Sequence, residues 1–222
     1  MLTMAKYLNT DLIFQNRNEA GKQLAEKLVS LELQNPIVVG LPRGGVAVAK
    51  PIAEKLNAKL DIIVSKKIGA PNNPELAIGA VTSSSDYVIS SYSNYELGEK
   101  KWDYLQKEIV YLVKDCQERE KKYLSSRGGF QTHSYEGQNI ILVDDGTATG
   151  MTALAAIKSI KKQTPKIIIL AIPVISFQAY DEIATQINKI ETLKIPREFT
   201  AVGVHYMDFD AVSDDEIRSM LV

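Results

Sequence analysis

The stretch that most constrains the fold of this chain runs from Gln138 to Thr152, with the sequence QNIILVDDGTATGMT. Its apolar run, Ile140–Val143, has the length and composition of a buried parallel strand. Asp144 and Asp145 follow at the carboxyl end of this strand, and small residues then lead to a helical pattern that begins at Thr152. We therefore predict a strand–loop–helix unit with two carboxylates at its turn.

The loop of this unit, residues 146–150, has the composition of a phosphate cradle. Small side chains let backbone amides point at an anion, and the N-terminus of the following helix adds the positive end of its dipole. The two acids would repel a phosphate, so they suit hydroxyl groups or a divalent cation held next to it. A phosphorylated sugar presents this combination of groups. The structural alternative is an ordinary strand–turn–helix corner whose acids cap the helix.

The segment Val143–Thr152 resembles the phosphoribosyl pyrophosphate signature of the type I phosphoribosyltransferases, in which an apolar strand, two acids and a small Thr/Gly-rich loop occur in this order. The resemblance implies that Asp144 and Asp145 face the ribose 2′- and 3′-hydroxyls. It implies a Mg²⁺ cofactor held near these two acids, largely through substrate and water. It also implies that the 5′-phosphate is held by the residues that follow, namely Gly146, Thr147, Ala148, Thr149, Gly150, Met151 and Thr152.

A second candidate anion site follows the predicted strand at residues 36–41. Two glycines there permit a tight turn with exposed amides, and an arginine beside them can bind an anion; a plain strand-to-helix turn is the alternative. The turn resembles the pyrophosphate loop of the same family, in which the peptide bond before the basic residue is often cis. The resemblance implies a cis bond at this place and pyrophosphate binding by Pro42, Arg43, Gly44 and Gly45. Pro51 is predicted to kink the following helix or to mark its true start.

Lys66 and Lys67 follow a third predicted strand, residues 60–65, and precede an aperiodic segment, residues 68–75, that is rich in loop formers. The segment resembles the mobile loop that closes over the substrate in this family. The resemblance implies that one of these lysines brings a positive charge to the departing pyrophosphate. Two solvated lysines at a strand end are the alternative.

The first predicted helix follows Asn18 as its N-cap, and Arg17 before it is interpreted as a surface residue, with anion binding as the second interpretation. Residues 76–81 and 86–90 predict a hairpin. A long helix is predicted at residues 94–124. One face of it carries Trp102, Leu105, Ile109, Leu112 and Cys116, best explained by core packing, with a homodimer seam second.

The remaining pattern continues the alternation of helices and strands. Helices are predicted at residues 151–162 and 177–190 and at the end of the chain from Asp214, strands at 166–173 and 191–195, and a linker turn at 127–129. The alternation predicts an α/β fold with a doubly wound, mostly parallel sheet, which binds ligands at the carboxyl ends of its strands. The residues predicted at such ends are Arg43, Lys66, Lys67, Asp144 and Asp145.

We predict a core domain at residues 1–192, including the long helical insertion at 94–124, and a small C-terminal hood at residues 193–222, the C-terminal tail. In the resembling family a hood binds the base. The resemblance makes Phe199, Tyr206 and Phe209 candidates for stacking on a base and His205 a candidate for binding its edge. Simple packing of the tail onto the body is equally open.

Composition excludes several classes of protein. Lysine and arginine number 26 against 27 acids in 222 residues, so the charge predicts no large nucleic-acid-binding surface. Cys116 is the single cysteine, which leaves no intrachain disulfide and no cysteine metal cluster, and it is interpreted as buried rather than nucleophilic. Residues 1–11 lack a signal-peptide pattern and no apolar run approaches the ~18 residues of a membrane span, so we expect a cytoplasmic protein without a membrane partner.

The expected function is transfer of the phosphoribosyl group from 5-phosphoribosyl 1-pyrophosphate to a nitrogen acceptor of the nucleobase type. The resemblance extends over nearly the whole chain to a group of predicted phosphoribosyltransferases that carries PRGG, KIGAP, NPELA and this tail together. The family's 6-oxopurine enzymes have an aspartate in the slot that Ala148 holds here. A non-catalytic sensor of nucleotides or phosphoribosyl pyrophosphate on the same fold is the alternative. Phosphoribosyl hydrolysis and a P-loop kinase are weaker, since Gly150 is followed by Met151 instead of lysine.

Overall fold

The computed structural model describes residues 13–91, 93, 101–125 and 133–222. Its helices are α1 (Arg17–Val29), α2 (Gly44–Lys55), α3 (Lys101–Leu124), α4 (Met151–Lys161), α5 (Phe177–Ala184) and α6 (Asp214–Met220). Its strands are β1 (Ile37–Gly40), β2 (Lys59–Ile62), β3 (Ser65–Ala70), β4 (Asn73–Thr82), β5 (Tyr87–Ile89), β6 (Asn139–Val143), β7 (Ile167–Val174) and β8 (Lys189–Lys194).

The core of the molecule is a five-stranded parallel sheet with the order β2–β1–β6–β7–β8. Helices α1 and α2 bury one face, where Leu24 and Ile52 pack against Val38. Helices α4 and α5 bury the other, where Leu154 and Ile183 belong to the same cluster as the strand residues. Covering both faces explains why the three central strands, β1, β6 and β7, are nearly continuous apolar runs. The predicted doubly wound α/β fold is confirmed.

Strands β3, β4 and β5 form a second sheet, which is antiparallel and packs between α3 and α4. The hairpin predicted at residues 76–90 is confirmed. Residues 68–75, predicted as a loop after a strand, are instead the distal part of a second hairpin, in which Pro71 and Asn72 form the turn between β3 and β4. A β-bulge near Gly69 interrupts the alternation of side chains that would identify a strand in the sequence. The two strands approach closely at this bulge, since a Cβ added to Gly69 would lie 2.6 Å from the carbonyl oxygen of Pro74.

The predicted N-cap of the first helix is wrong, and of the two alternatives for Pro51, a kink or the start of the helix, the second is excluded. Helix α1 is capped by Asn16 instead of Asn18, because the Asn16 side chain accepts a hydrogen bond of 2.9 Å from the amide of Glu19. Pro51 does not mark the start of α2 and lies inside it, buried against α1. Gly21 makes this contact possible, since its added Cβ would lie within 3.2 Å of the Val48 backbone.

Two further predictions need correction. Helix α5 ends at Ala184 instead of residue 190, because Lys189–Lys194 pairs with β7 as the last strand of the sheet. On α3, Trp102 is 57% exposed and leaves the predicted apolar stripe, whereas Leu105, Leu112 and Cys116 are buried as predicted. Burial raises the pKa of the Cys116 thiol to about 12, which fits a packing role. Residues 94–100 and the predicted turn at 127–129 lie outside the described residues.

The C-terminal tail runs back along the start of α1. The amide of Met207 donates to the carbonyl of Phe14 at 2.8 Å, and the amide of Phe14 donates to the carbonyl of His205 at 2.9 Å. The tail ends in α6, which begins at Asp214 as predicted, with Ser213 as its cap. Within the part of the chain that the structure describes, no helix combines the length and apolar character needed to cross a membrane.

Candidate functional site

The candidate site lies where β1 and β6 end side by side. These strands are neighbours in the parallel sheet, and the amide of Leu41 donates to the carbonyl of Val143 at 2.9 Å just beyond their last paired residues. The turn after β1 therefore meets the acid pair after β6. A Cβ added to Gly45 would lie 2.6 Å from the Val143 carbonyl oxygen and 2.9 Å from the Asp144 Cα, so this approach requires glycine.

The turn after β1 has the features predicted for an anion site. The peptide bond between Pro42 and Arg43 is cis, which confirms that prediction. Helix α2 begins directly at Gly44, and the amides of Gly44 and Gly45 donate to no acceptor among the described residues. The Arg43 side chain is exposed at the same place. Two unpaired amides and a guanidinium thus stand together at a helix N-terminus.

The loop after the acid pair is held in shape by Thr147. Its amide donates to Val174 at the end of β7 at 3.1 Å, and its side-chain oxygen accepts from the amide of Gly150 at 2.9 Å. Ser176 closes the arrangement, since its hydroxyl donates to the carbonyl of Ala148 at 2.6 Å. Gly150 has a φ of +72°, a left-handed conformation that favours glycine. The loop is therefore anchored to the sheet through β7.

Four amides of this loop and of the start of α4 donate to no acceptor among the described residues; they belong to Ala148, Thr149, Met151 and Thr152. The side chain of Thr149 is exposed and that of Thr152 is partly exposed, so two hydroxyl groups lie beside these amides. Gly146 and Met151 are buried and shape the loop. The arrangement is a cradle of donors at a helix N-terminus, as predicted for a phosphate.

The acid pair lies between these two anion sites. Asp144 and Asp145 are largely enclosed, and the amide of Asp145 donates to Asp144 Oδ1 at 2.9 Å. Burial raises the pKa of Asp144, and the negative charge of Asp145 raises it further. Burial also raises the pKa of Asp145, against the opposing effect of a hydrogen bond from Arg17. The pair therefore holds a proton more readily than two exposed aspartates would.

Arg17 also belongs to this site, although its sequence context predicts a surface residue first and an anion-binding residue second. Its Nε donates to Asp145 Oδ2 at 2.7 Å, although the two residues are 128 positions apart in the chain. Its Nη1 donates to the carbonyl of Asp210 at 2.8 Å, and its Cζ lies 3.7 Å from the centroid of the Phe209 ring. No local pattern marks an arginine in the first turn of a helix for such a position.

The two predicted lysines are occupied elsewhere in this structure. Lys66 lies in β3 and forms an ion pair of 2.8 Å with Asp115 on α3. Lys67 pairs with Glu75 across the hairpin at 2.7 Å, and the residues of the hairpin tip, 71–75, are exposed. Neither lysine contacts the acid pair, and a catalytic role for either stays a prediction.

The tail residues predicted to bind a base are mostly enclosed. Tyr206 and His205 are each 6% exposed. The Tyr206 ring packs against Phe14 and Phe209 with centroid distances of 5.3 and 5.0 Å, and the His205 ring lies 5.5 Å from that of Phe199. The contact with Phe14 packs the tail onto the body, and the other two are contacts within the tail. Base binding stays a prediction, and of Phe199, His205 and Tyr206 only Phe199 is partly exposed.

The acid pair, Asp144 and Asp145, fits the predicted Mg²⁺ in the number and type of its oxygen ligands. Among the described residues no group of three or more acidic, histidine or cysteine side chains could hold a metal ion by itself. Mg²⁺ usually keeps several waters and binds through one or two carboxylates together with substrate phosphates. Asp144 and Asp145 supply such a pair, with Asp145 already bonded to Arg17.

Residues 7–206 match the phosphoribosyl transferase domain family. Two curated relatives, from two strains of Mycobacterium tuberculosis and provisionally named phosphoribosyl transferases, are 34% identical over 212 residues. The match covers 94% of this chain and 46% of each relative, so the chain spans about half the length of these relatives.

Solved structures show the same architecture. A crystallised protein of Thermus thermophilus is 35% identical, with a TM-score of 0.78 over 95% of this chain and 98% of that one. A protein of Aquifex aeolicus shares the fold at 13% identity, with a TM-score of 0.50 over 82% of this chain and 74% of that one.

Proposed function

Because the chain belongs to the phosphoribosyl transferase domain family, we propose that it transfers the phosphoribosyl group of 5-phosphoribosyl 1-pyrophosphate to a nitrogen acceptor and releases pyrophosphate. The proposed acceptor is a nucleobase. One observation carries the proposal: two sets of amides without an acceptor among the described residues flank a largely enclosed pair of carboxylates where β1 and β6 end. Two phosphate sites separated by acceptors for hydroxyl groups match a sugar that is phosphorylated at both ends.

Each part of the proposed substrate has its own group of donors or acceptors. The cradle at the start of α4 holds the 5′-phosphate through its amides and the hydroxyls of Thr149 and Thr152. Asp144 and Asp145 accept hydrogen bonds from the ribose 2′- and 3′-hydroxyls. Arg43 and the amides of Gly44 and Gly45 hold the pyrophosphate. In this arrangement the ribose lies between the N-terminus of α2 and the N-terminus of α4.

The chemistry follows from the charges that develop on this substrate. The bond between C1′ and the pyrophosphate oxygen breaks, and the pyrophosphate leaves with the bonding electron pair. C1′ becomes oxocarbenium-like, and the two carboxylates favour that positive charge. The lone pair of the acceptor nitrogen then forms the new bond to C1′, and the proton of that nitrogen is released. Mg²⁺, when bound near the acid pair, would supply positive charge to the pyrophosphate oxygens.

The hairpin between β3 and β4 is the element proposed to close over the substrate. Its tip, residues 71–75, is exposed, and the nearby Gly69 carbonyl accepts a hydrogen bond of 2.8 Å from Tyr104 on α3. Lys67 and Glu75 form an exposed ion pair, and solvent screening makes such pairs weak, so the Lys67 ammonium can exchange Glu75 for pyrophosphate. Lys66 is held by a half-buried partner and is less easily released.

The test is to incubate the protein with phosphoribosyl pyrophosphate, MgCl₂ and a panel of nucleobases, and to measure released pyrophosphate. Base-dependent release is the expected result, and the double variant Asp144→Asn/Asp145→Asn should lack it. Binding of phosphoribosyl pyrophosphate without turnover of any base would favour the sensor interpretation. A protein that neither binds nor consumes phosphoribosyl pyrophosphate would show the proposed function to be wrong.

A further inference from the structure

A groove runs along α4, between strand β5 and the C-terminal end of α5. Its volume is about 480 Å³, which lies within the range of small-molecule binding cavities. Five apolar side chains line it, namely Val88 and Ile89 from β5 and Met151, Leu154 and Ile157 from α4. The groove therefore has the size and the apolar lining that a small organic ligand requires.

The groove is distinct from the phosphoribosyl site. Of the described residues, Met151 alone belongs to both, since its amide is part of the cradle and its side chain lines the groove. The polar groups that α4 contributes to the groove, Lys158 and Lys161, lie about two and three helical turns beyond Met151, or about 10 and 15 Å along the helix axis. A phosphate in the cradle does not reach these lysines, so an anion bound by them belongs to a different ligand.

Two exposed lysines supply the positive charge of the groove. Lys158 and Lys161 are neighbours on one face of α4, and neither forms an ion pair with a described residue. The Lys158 ammonium donates to the Tyr87 carbonyl at 2.8 Å, and the Lys161 ammonium donates to Gln186 Oε1 at 3.2 Å. Each ammonium has three N–H donors, so both keep donors for an anion. Glu182 supplies the one carboxylate among the described lining residues, so the groove has an excess of positive charge.

An exposed tryptophan also lines the groove. Trp102 is 57% exposed, although the sequence pattern predicts it on the apolar stripe of α3. An indole ring offers a face on which a planar ring can stack, and nucleobases stack on such aromatic side chains. Tyr87, which is 37% exposed, adds a second aromatic ring, and the Lys158 ammonium lies 5.0 Å from its centroid. The groove thus combines aromatic faces with positive charge.

The two walls of the groove are tied together at a buried aspartate. Asp86 directly precedes β5 and is 3% exposed. The Ser159 hydroxyl on α4 donates to Asp86 Oδ2 at 2.9 Å, and the Lys162 ammonium forms an ion pair of 2.5 Å with Asp86 Oδ1. These contacts fix β5 against α4, so the groove is formed before a ligand binds, which lowers the entropic cost of binding.

We propose that the groove binds a nucleoside monophosphate, with its base on Trp102 and its phosphate at Lys158 and Lys161. Two adjacent ammonium groups suit a group with several anionic oxygens, as phosphate has. The Glu182 carboxylate would repel that phosphate, so it suits the ribose hydroxyls. A neutral nucleoside leaves the lysines unused, and inorganic phosphate leaves the aromatic faces unused. The reaction proposed above yields a compound of this class, but the assignment of the groove rests on residues outside the acid pair and the two anion loops.

The experiment uses the emission of Trp102, the single tryptophan of the chain, which reports directly on the groove. Adenosine 5′-monophosphate is titrated into the protein with and without saturating phosphoribosyl pyrophosphate and MgCl₂, and adenosine and inorganic phosphate are titrated separately. Saturable quenching by adenosine 5′-monophosphate is expected, undisplaced by phosphoribosyl pyrophosphate, with much weaker binding of adenosine or phosphate alone. The double variant Lys158→Gln/Lys161→Gln should weaken binding about tenfold. Lys22→Gln, on the exposed side of α1, removes a lysine far from the groove in the chain and should behave like the wild type.

Three outcomes would overturn the proposal. Quenching that phosphoribosyl pyrophosphate abolishes would place the nucleotide in the phosphoribosyl site. Unchanged affinity in the lysine variant would mean that the phosphate does not bind at Lys158 and Lys161. Absence of quenching would mean that no nucleotide stacks on Trp102, and an emission that then changes on dilution would show a second copy of the chain in the groove.

Two further measurements keep the answer clear. If the double variant does not fold, Lys161→Gln gives the answer, because it changes one exposed side chain that is bonded to Gln186. Binding of phosphoribosyl pyrophosphate is measured separately by calorimetry. A protein that binds no phosphoribosyl pyrophosphate but keeps lysine-dependent quenching by adenosine 5′-monophosphate would overturn the proposed function and leave the groove site in place.

Discussion

The hydroxyl group of Tyr206 donates a hydrogen bond of 2.5 Å to the backbone carbonyl of Asp145. Tyr206 is buried against Phe14 and Phe209, so this bond attaches the C-terminal tail to the turn that carries the acid pair. Burial raises the pKa of the Tyr206 hydroxyl, which therefore remains a protonated donor at neutral pH. The tail thus fixes the backbone of the turn that carries the acid pair through the hydrogen bond from Tyr206.

Tyr206→Phe should keep the ring packing and lose this bond. An enclosed carbonyl without its donor costs about 1–3 kcal/mol, so the free energy of unfolding should fall by that amount in a urea titration. Affinity for phosphoribosyl pyrophosphate should fall by a smaller factor than in the aspartate variants. Tyr87→Phe, on an exposed side chain, is the matched control and should be neutral. Equal stability of the two variants would mean that the bond to Asp145 does not hold the tail.

Asp144→Asn and Asp145→Asn, made separately, should leave the fold intact and weaken binding of phosphoribosyl pyrophosphate. A charge-assisted hydrogen bond contributes about 1.5–3 kcal/mol, so each change should reduce the affinity roughly ten- to a hundredfold. Calorimetry with MgCl₂ measures the effect, and Asp181→Asn on the exposed side of α5 serves as control. Unchanged affinity in both acid-pair variants would remove these residues from the ribose site.

The parts of the site that the sequence predicts are those built by short stretches of chain. An apolar run followed by two acids and small residues places the acids and the cradle at one strand end, because connectivity alone brings them together. The turn at Pro42–Arg43 is similarly local. Chain order then places both at the carboxyl edge of one parallel sheet, where they meet.

The parts that were missed depend on contacts between distant segments. Arg17 contacts Asp145 in the turn after β6 and Asp210 in the tail, and these contacts span 128 and 193 positions. The sequence of β3 does not reveal a strand because its two lysines pair with different partners, Lys66 with Asp115 on α3 and Lys67 with Glu75 on β4. A period of two is not visible when neither face of a strand is uniformly apolar.

The hairpin of residues 66–75 should be accessible to protease in the ligand-free protein and protected with phosphoribosyl pyrophosphate and MgCl₂. Its tip is exposed, and closure over the substrate would bury it. Trypsin cleavage after Lys66 and Lys67 is followed by mass spectrometry, with the exposed loop at residues 162–166 as the internal control. Identical cleavage of the hairpin in both states would show a static element and would leave the two lysines without a role in closure.

The final prediction concerns the acceptor and depends on Ala148. The 6-oxopurine enzymes of the resembling family have an aspartate at this slot, where a carboxylate can exchange a proton with purine N7 as the new bond forms. Ala148 is exposed, its carbonyl accepts from the Ser176 hydroxyl, and its methyl group can transfer no proton. We therefore expect hypoxanthine and guanine to be poor acceptors compared with adenine or uracil.

An acid–base group would then have to come from another element, either the hairpin, where Glu75 is the candidate, or the C-terminal tail. The hydrogen bond and ion pair with Lys67 lower the pKa of Glu75 and keep it a carboxylate in the ligand-free protein. When Lys67 exchanges Glu75 for pyrophosphate, that carboxylate becomes the more basic and would accept the proton that the acceptor nitrogen releases. Initial rates of pyrophosphate release with each base measure the preference. Glu75→Gln should reduce the rate with the preferred base, and Ala148→Asp should raise the rate with hypoxanthine relative to adenine. Faster turnover of hypoxanthine or guanine than of adenine and uracil by the wild-type protein would show that Ala148 does not determine the choice of base.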